Sequence, residues 1–230
     1  PTSLEGWVLD RFDTLSREVI ECYNSYDFRN ANLKLYDFCN TTLSAEYLAA
    51  VKDRLYCDKV DAPRRRRTQA ALYHLTDGLC RLLAPIIPHT ADEAYRALLR
   101  IDPKDTSTCI HTQTFLAPLG IAADSRWPAI MTALDTARQK LESTKASIGV
   151  DNPLDAAITL PTSVNISGFD TADLADLLGV SRVSSGPDFA ATSLLGEPRC
   201  ERSWKRDGTV KQRSDGGMLT DRDAAAVGVA

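Results

Sequence analysis

Apolar residues in the first hundred positions recur at steps of three and four. Leu4, Val8, Phe12, Leu15, Val19, Cys22 and Tyr26 form one stripe, with Asp10, Asp13, Arg17 and Glu21 between them. That pattern predicts an amphipathic helix over 4–26 with one face on a core. A second helix is predicted from Asp27 and Phe28 onward, carrying Leu35, Cys39, Leu43, Tyr47, Val51 and Leu55 at four-residue steps. A break is expected at 40–42, where Asn40, Thr41 and Thr42 all have poor helix propensity. A third helix opens at Pro63, which suits a first helical position, and runs through Leu72, Leu75, Leu79, Leu82 and Leu83 until Pro85 kinks or ends it. A short fourth follows over 90–99, with Thr90 as N-cap and Glu93 at the capping-box position. Four helices with short links predict an up-and-down bundle over 1–100.

The periodicity lapses in DPKDTSTCIHTQTFLAPLGIAADSR. A connection of that length is usually functional or marks a boundary. A long helix over 128–145 then places Ile130, Leu134, Ala137 and Leu141 on one side and Arg138, Lys140 and Lys145 on the other, so 101–149 reads as a connecting loop and long helix. The composition shifts after Gly149. Strands are expected at 156–160 and 180–183, with a third at 189–195, and a helix at 171–178 capped by Asp170 or Thr171. This α/β module over 150–196 is too small to stand alone comfortably. The tail, 197–230, has little apolar periodicity and a basic patch of Arg199, Arg202, Lys205, Arg206, Lys211 and Arg213. It is expected to be partly mobile and to order fully only with a partner. The fold class is therefore mainly α: a helical bundle, a small α/β module and an irregular tail.

Charge sharpens one stretch. Between positions 52 and 67 lie seven basic residues, Lys52, Arg54, Lys59, Arg64, Arg65, Arg66 and Arg67, against the acids Asp53, Asp58 and Asp61. The four arginines open the third helix, where each exposed cation costs roughly 0.3–1 kcal/mol against the helix dipole. Two readings stand side by side: a surface kept for an anionic partner such as RNA, or a solvated charged end on an ordinary bundle. The whole chain carries a net charge of −4, so any nucleic-acid site must be local. There is no run of eighteen apolar residues, so no membrane partner is expected. No signal peptide is recognisable, and the chain opens on Pro1 within a helical pattern, as an excised piece of a longer protein would.

Catalytic constellations are missing. The chain holds no G-x-x-x-x-G-K, G-x-G-x-x-G, H-E-x-x-H or G-x-S-x-G. The six cysteines form no C-x-x-C pair and read as reduced thiols. His74 falls in the third helix and reads as a bundle histidine, His89 beside Pro88 is explained by capping or turn geometry, and His111 in the long connection has no Cys or Asp partner at motif spacing. A hydrolase built from Cys57 and His74 is the enzymatic alternative, and a protein-interaction module without RNA binding is the other.

The segments LYDFCNTTLSAEYL, KDRLYCD and PRRRRTQAALY resemble the anticodon-binding helical domain of bacterial isoleucyl-tRNA synthetases, class Ia enzymes. SRWPAIMTALDTARQKLE resembles the long helix after that family's bundle, and IGVDNPLDAAITL its entry to a small C-terminal α/β region. The likeness covers about residues 1–200. Many members end in a zinc module of two Cys-x-x-Cys pairs, the first followed by Trp. Here CERSW keeps Cys200 and Trp204 but has Ser203, and LTDRD has Thr220 and Asp223 where the second pair would lie. One thiolate cannot close a tetrahedral zinc site, so Cys200 is a lone remnant and no metal is expected.

What the resemblance implies is the tRNA-binding part of an isoleucine–tRNA ligase, which charges tRNA with isoleucine using ATP. The HIGH-type and KMSKS-type motifs of the catalytic domain do not occur in these 230 residues, so no catalytic residue is assigned. ATP and magnesium belong to the full-length enzyme, and the piece alone is expected to be inactive. The expected partners are the isoleucine-acceptor tRNA and the catalytic domain of the same polypeptide, in a cytoplasmic monomer. Lys52, Arg54, Lys59 and Arg64, Arg65, Arg66 and Arg67 are the candidate contacts on the bundle, with Arg202, Trp204 and Lys205 on the tail. Arginine suits phosphate because its planar fork binds bidentately, and Trp204 offers a face on which a splayed base can stack. Tyr47 and Tyr56 flank the basic cluster, with Tyr47 assigned to the core.

Overall fold

The computed structural model describes residues 1–102 and 104–229. Pro103, in the long connection, and Ala230, at the end of the tail, lie outside the described residues. The fold is mainly α with a small α/β module. The chain divides into two compact units. The first gathers Pro1–Leu4, Glu46–Arg66 and Ala123–Ala230, and the second Glu5–Ala45 and Arg67–Ala122.

Helix α1 covers Leu4–Asn24, α2 Phe28–Asp37 and α3 Ala49–Cys57, with a π-helical segment, Phe38–Leu48, between the last two. The stripe of α1 is buried from Leu4 to Val19, but Tyr26 is not part of it. Its φ is 59° and it is 83% exposed, because the chain has already turned out of the helix. The break expected at 40–42 is instead a widening of the hydrogen-bond ladder, which absorbs poor helix formers without ending the helix. Burial steps through Ala31, Leu35, Phe38, Thr42, Tyr47, Val51 and Arg54. The single interval of five falls inside the π segment, whose wider turn needs one more residue. Cys39, Leu43 and Leu55 on the strict four-residue stripe are consequently only half-buried.

In the second unit, α4 (Pro63–Leu83, from Arg67 onward) turns Thr68, Ala71, Leu75, Gly78 and Leu82 inward. Leu72 and Leu79, which the leucine pattern pointed at the core, are half-buried. Gly78 explains the rotation. A Cβ there would lie 2.3 Å from the ring of Phe12, so α1 sets its aromatic residue directly over the glycine. Thr68 donates to Glu5 at 2.6 Å and the Tyr23 hydroxyl donates to the Leu82 carbonyl at 2.6 Å. Helix α5 runs over Pro88–Leu99 with Pro88 in its first turn and no side-chain cap. Thr90 and Glu93 therefore sit inside it rather than capping it.

The long connection is held by side chains of this unit. Asp13 accepts from the amides of Leu119 and Gly120 at 3.1 and 2.9 Å, and Asp92 from that of Ile110 at 2.9 Å. Arg96 donates to the carbonyls of Thr108, Asp102 and Asp105, and Arg81 to that of Thr114. Side chains thus satisfy backbone groups that no sheet or helix serves.

In the first unit, α6 (Trp127–Thr144) buries Trp127, Ile130, Leu134, Ala137 and Leu141, the stripe its sequence predicts. Strand β1 (Ala156–Pro161) is central in a sheet of order β2-β1-β3, parallel to β2 (Arg182–Gly186) and antiparallel to β3 (Ala190–Ser193). Helix α7, Thr171–Leu178, is capped by Asp170, whose carboxylate accepts from the Ala172 amide. Alternate residues Ala156, Ile158 and Leu160 face the core, and Trp127 meets Phe169 edge-on at 5.0 Å. The α/β module thereby borrows apolar surface from α6. The tail is not irregular throughout. A hairpin of β4 (Lys211–Gln212) and β5 (Met218–Leu219) leads into α8 (Asp221–Val227), around a small core of Cys200, Val210, Leu219 and Ala224. Those four come from different elements, so no periodic stripe announces them.

Candidate nucleic-acid interface

The basic residues of α3 and the start of α4 divide into buried and exposed sets. Arg54 is 0% exposed and donates to Asp173 at 2.6 Å and to Asp176 at 3.0 Å. Its face of α3 points into the unit, so it has no access to an external phosphate, and its place among the candidate contacts is corrected to that of a core ion pair. Arg64 lies between Asp58, at 3.3 Å, and Asp176, at 3.5 Å. Arg65 donates to the Asp58 carbonyl at 2.7 Å. Lys205 bonds to Asp176 and lies 3.4 Å from Asp53. The unfavourable cations in the first turn of α4 are thus partly answered by Asp58 and Asp176.

Lys52, Lys59 and Arg66 are exposed, Lys59 in a loose pair with Asp61 at 3.7 Å. Arg67, in the second unit, is half-exposed and 3.9 Å from Glu5. Tyr47 is fully buried, whereas Tyr56 is 71% exposed.

The tail supplies the aromatic group. The Cys200 amide donates to the Lys205 carbonyl and the Trp204 amide to the Cys200 carbonyl, at 2.9 and 3.0 Å, closing a tight turn. Trp204 sits in that turn with φ 62° and 54% of its surface exposed. A bulky residue in left-handed backbone costs on the order of 1–3 kcal/mol and persists only where the surroundings impose it. Arg199 lies over the indole at 5.5 Å, and Arg202 donates to the Tyr56 carbonyl at 2.9 Å. Together Lys52, Tyr56, Arg202 and Trp204 border a cleft of about 480 Å³ floored by Leu154 and Val180. It combines apolar walls, a half-exposed indole and cations at the rim, the chemistry that holds an unstacked base and its phosphate.

Behind the turn, Cys200, Ser203 and Thr220 all donate to the same oxygen of Asp223, at 3.1, 2.6 and 2.8 Å. Burial works against the Asp223 carboxylate, but the Ser203 hydrogen bond and the Arg222 charge more than offset it and hold its pKa below the ordinary value. Arg222 also bonds to Asp53, tying α8 to α3. Among the described residues, no group of three or more His, Cys, Asp or Glu side chains is placed to hold a metal ion.

A family model described as the anticodon-binding domain of tRNA ligase matches residues 5–160, more than half of the chain. The chain belongs to this family. As an anticodon-binding domain it has a tRNA as its partner, and similarity to full-length enzymes extends beyond the matched region. It is 29% identical over 98% of its length to the isoleucine–tRNA ligase of Desulfotalea psychrophila and 29% identical over 98% to that of Geobacter sulfurreducens. It is 30% identical over 96% of its length to that of a Marinomonas species. The domain spans 26% of the length of each of these relatives.

The state of Cys57 weighs against the hydrolase alternative. Burial first, and then the Asp53 charge, push the Cys57 thiol up to about 11, the opposite of an activated cysteine. Among the described residues, no helix is long and apolar enough to cross a membrane. Sequence reading missed Arg222 and the acids Asp173 and Asp176, whose ion pairs with α3 and α4 span more than a hundred positions. Nothing local marks such pairs; only Asp53 and Asp58, inside the basic stretch, hinted that part of its charge was neutralised.

Proposed function

We propose that this anticodon-binding domain reads the anticodon loop of an isoleucine-acceptor tRNA for an isoleucine–tRNA ligase. The observation that carries the reading is Trp204, held exposed in left-handed backbone at the rim of a cleft that also has Lys52, Tyr56 and Arg202. Trp204 stacks on a splayed base, while Lys52, Lys59, Arg66, Arg199 and Arg202 serve the phosphates around it. Arg64 and Lys205 shape this face through their carboxylate partners and Arg65 through the Asp58 carbonyl, and Arg67 is a phosphate contact of the second unit. Aminoacylation with ATP and magnesium is assigned to a catalytic domain of the same polypeptide, in a cytoplasmic monomer, and this domain alone has no ligase activity.

Five exposed cations on single-stranded phosphates give a salt slope of about −3.5, or roughly a hundredfold loss of affinity between 50 and 200 mM salt. Fluorescence anisotropy with an isoleucine tRNA and a tRNA of different anticodon tests the reading. The isoleucine tRNA should bind more tightly. Trp204→Ala should cost about 1–3 kcal/mol, whereas Lys52→Gln should lower the salt slope by about one for all tRNAs. Equal, undetectable binding of both tRNAs at low salt, by a folded chain, would sink the proposal and favour a protein-interaction module.

A further inference from the structure

Two pairs of residues in the tail have the spacing of a zinc knuckle, Cys200-x-x-Ser203 and Thr220-x-x-Asp223, and their side chains converge on one point. We infer that these four side chains form a metal-free staple, in which the Asp223 carboxylate occupies the centre that a zinc ion holds in a knuckle of this spacing. This inference is independent of what the domain binds.

The donor set does not fit zinc. A closed tetrahedral site is built from thiolates and imidazoles at about 2.0–2.3 Å from the metal, with every ligand atom facing the ion and kept apart from the others. Here one thiol and two neutral hydroxyls lie 3.1, 2.6 and 2.8 Å from a carboxylate oxygen, so the central position is taken by an acceptor atom rather than left between four ligands. The sign of the charge is inverted as well. A zinc knuckle wraps anions around a cation. This one wraps three neutral donors around an anion and sets Arg222 at 3.2 Å and Arg202 at 3.5 Å outside it. Asp223, Cys200 and Thr220 are all buried, and the carboxylate also faces its own helix start, where the Asp223 amide donates back to Thr220 at 3.0 Å. Hydrogen bonds to a buried carboxylate are the strong kind, and losing their shared acceptor leaves three donors unsatisfied together.

A small knuckle needs such a staple. Among the described residues its core is Cys200, Val210, Leu219 and Ala224, with Met218 and Val229 partly buried against them, little apolar surface to order a segment of this length unaided. Cys200 and Ser203 also lie within the turn that presents Trp204, so the carboxylate fixes the geometry of that turn where a metal would otherwise do so.

The test is thermal unfolding of the whole chain beside elemental analysis. The chain, expressed with added zinc and dialysed, should hold far less than one zinc per molecule, and its Tm should not move with a strong chelator. Asp223→Asn, which keeps the shape but loses the charge, should lower the Tm by roughly 5–10 °C. Replacing Ser203, Thr220 and Asp223 together by Cys should create a chain that takes up one zinc and whose Tm falls on chelation. Stoichiometric zinc in the natural chain, with a Tm that drops when it is removed, overturns the inference. So does an Asp223→Asn variant that folds and melts unchanged. A folded triple-cysteine variant that binds no zinc would show that the four positions do not have a knuckle's ligand geometry, which also defeats it.

Discussion

Replacing Arg54 separates a structural role from an RNA-contacting one. Its guanidinium is fully buried and bonded to Asp173 and Asp176, whose side chains are 3% and 1% exposed. Asp176 keeps Arg64 and Lys205 when Arg54 is removed, so the damage centres on Asp173, which loses a guanidinium 2.6 Å away. Removing a buried arginine that bridges two carboxylates costs about 3–5 kcal/mol, because the part of their desolvation that it offset is no longer offset. Arg54→Met should therefore destabilise the first unit by about 4 kcal/mol. With an m-value of about 2 kcal/mol per molar urea, the midpoint moves down by roughly 2 M. Urea titration followed by far-UV circular dichroism measures that shift, and anisotropy without denaturant measures tRNA affinity in the same variant. Adding Asp173→Leu should recover most of the loss, since an apolar pair of similar volume is nearly neutral against a buried ion pair. An Arg54→Met chain with an unchanged midpoint but much weaker tRNA binding would refute the structural assignment and return Arg54 to the phosphate contacts.

Three further outcomes follow from the packing. Gly78→Ala should destabilise the second unit by about 1 kcal/mol net, since overpacking against Phe12 outweighs the better helix propensity of alanine; a rise in the urea midpoint would show that the Phe12 ring yields freely. Asp13→Asn should cost about 1–3 kcal/mol, because an amide cannot accept from both Leu119 and Gly120. Proteolysis in the connection ahead of Gly120 should accelerate with it, and an unchanged cleavage rate would contradict the pinning. At Asp53, burial raises the pKa, but Arg222 and Lys205 lower it further, and Cys57 beside it stays protonated. Its contribution is then fully present above the unfolded value of about 3.9 and is lost as the pH falls through the lower folded value. Trp fluorescence should report loosening below about pH 4, and Asp53→Asn should shallow that acid limb.

Much of the fold was legible because burial leaves a period. The stripe of α6 appears in sequence and structure as the same residues, Ile130, Leu134, Ala137 and Leu141. Proline was equally legible, since Pro63 opens α4 and Pro85 follows its end at Leu83. Where several local rules competed, the pattern misled. Thr90 and Glu93 satisfied a capping rule, but Pro88 had already started α5. Tyr26 matched the stripe of α1 after the helix had ended at Asn24.

The candidate interface shows the same division more sharply. Residue type and spacing selected the basic stretch, and the family resemblance selected an aromatic residue in the tail and two degenerate Cys-x-x-Cys pairs; each lies at or beside the cleft, the ion-pair cluster or the knuckle. Sequence by itself determined the long helices, the three-stranded sheet and the chemical kinds of group available to a tRNA, but not the hairpin and α8 of the tail. Only tertiary structure decided which charges are free, because that depends on carboxylates such as Asp173 and Asp176 arriving from more than a hundred positions away. It also brought the side chains of Cys200, Ser203 and Thr220 onto one carboxylate oxygen of Asp223. Propensity and periodicity act over a few residues, whereas neutralising a buried charge needs a partner within a few ångströms in space, wherever that partner lies in the chain.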